Sequence, residues 1–360
     1  MTHRSRLYDL HQSLGAAFRD QGGWALPDRY QDPVQEHRAV REAVGVLDLS
    51  FRTLYRVTGA DRTRFLNGML TNDLSKLEEG QGCYACILTP QGKIVADLEV
   101  YALRDCHLLE LDARWKEGAL DHLNKYVIAD DVTFEELDHY TLLAVQGPGA
   151  PILLGRVLPG ASLPGEEQRC VEVTLDNHVC RVIRASITGE DGYKLATPQD
   201  RAEVVWQTFQ EGGATPAGMA ALNSLRLEAG IPWFGVDFNE GNFPQEAGIE
   251  DKAVSFTKGC YIGQEFVIRI AHRGHVNRRT SGLTIGHEPI PRPGDRVLHG
   301  DKEVGHITSA ALSPTLGTIV ALGMLRRESQ EPGTVVHVES QGERRPAEVT
   351  PLPFYRRHAG

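Results

Sequence analysis

Tyr84-Ala85-Cys86-Ile87-Leu88, Thr89-Pro90-Gln91-Gly92 and Lys93-Ile94-Val95-Ala96-Asp97-Leu98-Glu99-Val100-Tyr101 follow one another directly. Two apolar runs around a Pro/Gly turn predict a β-hairpin. Helical spacing lies on either side of it. Upstream, Asp32 suits an N-cap, Pro33 the first helical position and Gln35 a capping box, with the helix expected to stop at Gly45. Phe65, Leu66, Met69 and Leu70 mark a helix from Arg62, and Leu120, Leu123, Tyr126 and Val127 another, before strand-like residues 140–145. Helices mixed irregularly with hairpins favour an α+β fold over a doubly wound parallel sheet.

A second α+β stretch begins at Val171, with strands over 179–186 and 193–196, a helix around Val204, Val205 and Phe209, and another ending near Gly230. From about Ser281, short β-like runs between Gly, Pro and Asp turns predict a small all-β barrel or sandwich of about 80 residues. The 360 residues carry 38 Lys or Arg against 48 Asp or Glu, a formal charge of −10, with 41% hydrophobic residues. That length favours two or three domains. The acidic balance argues against nucleic-acid binding through a net field, and no window is apolar enough to span a membrane. No apolar stretch follows the basic start, so the six cysteines are expected to be reduced thiols in the cytoplasm.

Cys83 and Cys86 have CxxC spacing, but no second ligand pair accompanies them, so packed thiols are expected rather than a metal site. Gly147-Pro148-Gly149 lacks the third glycine of a dinucleotide loop and reads as a turn. His272-Arg273-Gly274-His275, with Arg269, Arg278 and Arg279, reads either as a basic strip facing an anion or as a solvated charged face. Thr188-Gly189-Glu190-Asp191-Gly192-Tyr193 is a turn by spacing. Its alternative is a Glu190 carboxylate accepting paired hydrogen bonds from a ligand edge such as that of a pterin. Asp97, a carboxylate within an apolar strand, reads as an outward-facing acid or as one poised beside a substrate amine. In Lys258-Gly259-Cys260-Tyr261-Ile262-Gly263-Gln264-Glu265, a buried Cys is the default reading. The alternative is a Cys260 thiolate favoured by Lys258, with Gly259 and Gly263 letting the backbone approach a ligand.

Several of these segments, in order and along nearly the whole chain, resemble the aminomethyltransferase T-protein of the glycine cleavage system. They are Leu7-Tyr8-Asp9-Leu10-His11, Gly23-Trp24-Ala25-Leu26-Pro27, Thr71-Asn72-Asp73, the run from Thr188 to Tyr193, Leu225-Arg226-Leu227-Glu228-Ala229-Gly230, Ser313-Pro314-Thr315-Leu316 and Leu352-Pro353-Phe354-Tyr355. Lys258 to Glu265 instead resembles the signature of YgfZ-type folate-binding relatives, which are linked to iron–sulfur enzymes. The resemblance implies an α+β fold: ferredoxin-like, antiparallel-sheet folate-binding subdomains in a ring with a C-terminal all-β barrel, divided as residues 1–275 and 281–360. It also implies tetrahydrofolate, or a one-carbon-substituted form, as cofactor. Catalytic roles fall on Asp97 and Cys260, and folate-binding roles on Glu190, Tyr84, Tyr101, Arg356 and Lys258. No metal and no membrane is implied.

The chain departs from the T-protein pattern at Ala96, at Phe51-Arg52-Thr53 after Ser50, and at Ile187. These departures keep folate binding and weaken the case for aminomethyl transfer. The leading expectation is therefore a tetrahydrofolate-binding protein serving assembly or repair of iron–sulfur enzymes. The alternatives are an aminomethyltransferase working on a lipoylated carrier protein and a folate-binding module without chemistry.

Overall fold

The computed structural model describes residues 2–175 and 177–357, without the side chain of Arg273. Two compact units result, one of residues 1–69, 73–85 and 98–222, the other of 70–72, 86–97 and 223–360.

The first unit is α+β. Its six-stranded sheet has the order Cys170–Leu175, His178–Arg184, Gly192–Pro198, Tyr140–Gln146, Gly45–Asp48, Thr215–Pro216. One face packs Val145, Leu195 and Tyr193 against Leu153, Leu154, Trp206 and Phe209 of the helices Ala150–Val157 and Ala202–Glu211. The hairpin forms as the sequence predicts, from Gly82–Leu88 and Ile94–Ala102, and a five-stranded sheet continues through His107–Asp112, Arg52–Thr58 and Thr133–Glu136. Both hairpin strands cross the unit boundary, so the turn and Asp97 belong to the second unit.

Local signals fix the start of the helix Pro33–Glu42 but not its end. Asp32 caps Pro33–Glu42 by accepting from the Val34 amide at 3.1 Å. The residue that braces this helix start is Glu36 rather than Gln35: its buried carboxylate accepts from the amides of Tyr30, Gln31 and Gly218. The helix also ends before Gly45, which begins a strand. A Cβ there would lie 2.5 Å from the Val40 side chain, so the glycine permits close strand–helix approach. Gly147-Pro148-Gly149 is a turn, with Gly147 at φ +125°.

The second unit contains a closed antiparallel barrel, ordered Arg278–Ile285, Thr318–Arg326, Lys302–Ser313, Arg296–His299, Val335–Ser340, Glu343–Thr350. Leu283, Ile307, Ile319, Val336 and Val349 fill it, as strand alternation directs. Three motifs that carry the family resemblance meet beside it. Arg226, 1% exposed, donates to Asp237 at 2.5 Å, to Ser309 Oγ at 2.7 Å and to the Ile231 carbonyl at 3.1 Å. Asp237 also accepts from Thr308 and Ser309. Glu228 accepts from Ser313 Oγ at 2.5 Å and Thr315 Oγ1 at 2.8 Å, while its carbonyl takes the Tyr355 amide at 2.9 Å. Leu352 and Phe354 cover Leu227, Val320 and Leu322. The C-terminal segment is therefore docked within this unit.

In the first unit, burial and the Arg62 charge push the His107 imidazole down to about 4. The ring is 4% exposed and its Nε2 lies 2.8 Å from Thr63 Oγ1. Between the ordinary value of about 6.5 and 4, the unfolded chain binds a proton that the native chain refuses. Stability must then fall as pH drops through this window, by roughly 2 kcal/mol at pH 4.5. Denaturant unfolding at pH 7 and pH 4.5 should show a drop smaller by about that amount in His107→Gln. Equal drops would mean that the native ring protonates normally.

Candidate functional site

In the first unit, Gln146 shapes the loop that carries Glu190. This fully buried amide accepts from the Ile187 amide at 3.0 Å and Thr188 Oγ1 at 3.2 Å, and donates to the Ala185 carbonyl at 2.9 Å. Gly192 is needed beside it, because a Cβ would sit 2.2 Å from the Gln146 Nε2. Glu190, 2% exposed, accepts from Arg41 Nη1 at 2.9 Å, and the same guanidinium nitrogen donates to the Thr188 carbonyl at 2.9 Å. The Glu190 side chain is thus buried against an internal cation. The neighbouring Asp191 pairs with Arg184.

A buried charge cluster in the same unit escaped the sequence reading. Lys194, 2% exposed, lies 2.5 Å from Glu110 and 3.6 Å from Glu99, and Arg52 donates to Glu110 at 3.0 Å. Burial pushes the Glu110 carboxyl up, but Lys194 and then Arg52 outweigh it and hold the group below the ordinary carboxylate range. Tyr101 is fully buried and donates to Glu99 at 2.5 Å. Burial first, then the Glu99 and Glu110 charges, raises its phenol well above the usual value. The legible signal was Lys194 itself, a cation directly after Gly192-Tyr193 in a strand of otherwise uncharged residues. Tyr84 is half-buried on its strand.

In the second unit, Asp97 occupies the half-exposed face of its strand, alternating with buried Ala96 and Leu98. Cys86 senses its charge: burial first, and Asp97 second, pushes that thiol well above its ordinary value. Lys258 is buried, and its ammonium donates to the carbonyls of Leu70 at 2.8 Å and Asn72 at 2.6 Å. Thr71, between them, donates to the Ala253 carbonyl at 2.6 Å and accepts from the Cys86 amide at 2.8 Å. Gly263, at φ +81°, lies against the hairpin turn, and a Cβ there would come within 2.5 Å of the Thr89 carbonyl oxygen and 3.1 Å of the Gly92 Cα. Close approach by Gly263 is thus to backbone. Gly259 has open space where its Cβ would be.

Cys260 is exposed, whereas the other five cysteines are buried. Arg356 is exposed as well. The basic strip carries paired charges: Arg269 with Glu265, Arg278 with Glu246 at 3.1 Å and Arg279 with Glu250 at 2.8 Å. Among the described residues, no group of three His, Cys, Asp or Glu side chains could hold a metal ion, and no helix is long and apolar enough to cross a membrane.

Mainly antiparallel sheets with packed helices, followed by a closed six-stranded barrel, define a T-protein-type α+β fold. The GCVT N-terminal domain matches residues 7–258, and the glycine cleavage T-protein C-terminal barrel domain matches 278–356. The chain belongs to this family. It is 36% identical to an aminomethyltransferase of Cutibacterium acnes, over 98% of both chains. It is 34% identical to one of Rubrobacter xylanophilus, over 98% of this chain and 94% of the relative. The crystal structure of glycine cleavage system aminomethyltransferase T from Bartonella henselae superposes with a TM-score of 0.92 at 28% identity, covering 99% of this chain and 98% of that one.

These relatives overturn the expectation of an iron–sulfur accessory protein. That expectation rested mainly on the octapeptide from Lys258 to Glu265, where Lys258 clamps backbone carbonyls and Gly263 seats the hairpin turn. Both are framework tasks, so the octapeptide does not by itself report a separate function.

The burial pattern predicts that one thiol per native chain reacts quickly with a thiol reagent and that five react only after unfolding. Cys260→Ser should abolish the fast phase. A fast phase that survives the substitution would place one of the other cysteines at the surface.

Proposed function

We propose that this chain is an aminomethyltransferase that moves a one-carbon unit from an aminomethyl–lipoyl carrier protein to tetrahydrofolate. The observation that carries the reading is similarity to aminomethyltransferases over essentially the full length of both chains. Residues 1–275 would form the folate-binding region and 281–360 the barrel domain. In the overall reaction the carbon–sulfur bond to the carrier and the carbon–nitrogen bond to ammonia break, the methylene carbon gains bonds to two folate nitrogens, and the two protons those nitrogens release complete the ammonia and the dihydrolipoyl thiol.

The acidic side chains suit this substrate. A reduced pterin presents N–H donors, and carboxylates accept from such donors in short charge-assisted bonds. Tetrahydrofolate, when bound, supplies the amine that attacks the carbon and a second nitrogen that completes its bonding. Asp97, on the half-exposed face of its strand, would orient that amine and assist its proton movement. Glu190 would accept from the pterin edge while Arg41 neutralises its buried charge. Tyr84 would pack against the ligand, and Arg356 would meet its carboxylate tail. Tyr101 and Lys258 would act as positioning residues, through Glu99 and through the Leu70 and Asn72 carbonyls. Cys260 presents an exposed thiol.

A binding module without chemistry is the second reading, favoured by Ala96, Phe51-Arg52-Thr53 and Ile187, where the chain departs from the T-protein pattern. Ammonia release from aminomethyl-lipoylated carrier, with and without tetrahydrofolate, separates the two. The transferase reading expects folate-dependent release that falls about 10²-fold or more in Asp97→Asn with folate binding retained, and Cys260→Ser in the same assay reports on the thiol. Folate binding without any release by the wild-type chain would establish the module instead.

A further inference from the structure

We propose that the second unit carries an anion-binding groove, separate from the residues assigned to transfer, that takes a compact ligand bearing two or more carboxylate or phosphate groups. The groove has a volume of about 840 Å³ and is lined by His275, Asn277, Arg278, Arg326 and Arg327, with Glu246 and Glu328 also on its walls. That volume lies in the range of small-molecule sites.

The charge arrangement is the main argument. Arg278 and Arg326 are directly opposed on neighbouring antiparallel strands. Like charges in that position destabilise a sheet unless something lies between them. Arg278 has a partial answer, since it donates to Glu246 at 3.1 Å. Among the described residues, Arg326 and Arg327 make no side-chain hydrogen bond or ion pair, and Glu328 is already paired with Lys302 at 2.8 Å. The walls are held together by backbone, the Arg327 amide donating to the Asn277 carbonyl at 2.9 Å. Arg326 and Arg327, exposed and with no hydrogen-bonded acceptor although the Arg326 charge is felt by Glu328, line the same groove as Arg278, a set that suits forked hydrogen bonding to planar or tetrahedral oxyanions.

Size selects among anions. The whole chain carries a formal charge of −10, and acids stand on the groove walls. Both features repel an extended polyanion or an acidic protein face, while a small multivalent anion can fit between the carboxylates. Carboxylate and phosphate ligands share this chemistry, so the two must be separated by experiment.

Isothermal titration of the full chain at low ionic strength, with pyrophosphate and with citrate as probes, tests the proposal. Saturable binding of at least one probe is expected, weakened ~10- to 100-fold in Arg326→Gln/Arg327→Gln. Arg344→Gln, a change elsewhere on the same barrel, should leave it unaltered. Tighter pyrophosphate binding would assign a phosphate ligand, and tighter citrate binding a carboxylate one. If the double variant does not fold, Arg327→Gln alone should show the weakening. No saturable binding of either probe, undiminished binding in the folded variant, or an equal loss in Arg344→Gln would overturn the proposal.

Discussion

The buried ion pair between Arg226 and Asp237 is the constraint around which the second unit is built. Neither charge reaches water, so each depends on the other and on a ring of neutral partners. Ser309 serves both, accepting from the guanidinium and donating to the carboxylate. Trp233 contributes its amide to Asp237 and its ring to the face of Arg226. Taking such ions out of water costs several kcal/mol each, and only this degree of satisfaction offsets it. The helix Met219–Glu228, the loop that follows it and the barrel strand Lys302–Ser313 are thereby fixed to one another. Glu228 then extends the knot to Ser313, Thr315 and the C-terminal segment.

The first unit follows the same logic twice. Lys194, Glu110, Arg52 and Glu99 form a set of compensating charges in which Tyr101 is anchored. Arg41 and Glu190 form a smaller one, in a loop whose shape is set by Gln146. Buried charges of this kind are weak contributors to net stability, yet removing one partner is expensive because the other remains desolvated. They hold candidate ligand-facing side chains in defined places.

Much of the fold was legible. The hairpin, the capped helix at Asp32 and the C-terminal barrel follow from apolar spacing and turn residues, which act locally. Gly45 misled as a stop signal because its role is a tertiary approach to Val40. Candidate residues were less legible, for a physical reason: residue type does not reveal a distant partner. Nothing near Glu190 in the chain announces Arg41, and nothing near Lys258 announces the carbonyls of Leu70 and Asn72. The buried lysine at 194 was visible as a charge in an uncharged strand, but its meaning depends on Glu110, 84 positions away. The octapeptide around Cys260 drew attention as a functional signature, and two of its residues turned out to serve the framework.

That outcome shapes the whole account. Glu228 binds Ser313, Thr315 and the Tyr355 amide, and Arg226 binds Asp237 and Ser309, so the motifs that carry the family resemblance act in large part as structural clamps. A double-mutant cycle on Arg226→Met and Asp237→Leu, followed by denaturant unfolding, tests this most directly. Each single substitution should cost about 3–5 kcal/mol by stranding a buried charge, and the double should cost little more than either alone, giving a coupling of at least about 2 kcal/mol. Additive losses would contradict the account, because they would mean that the two side chains stabilise the unit independently.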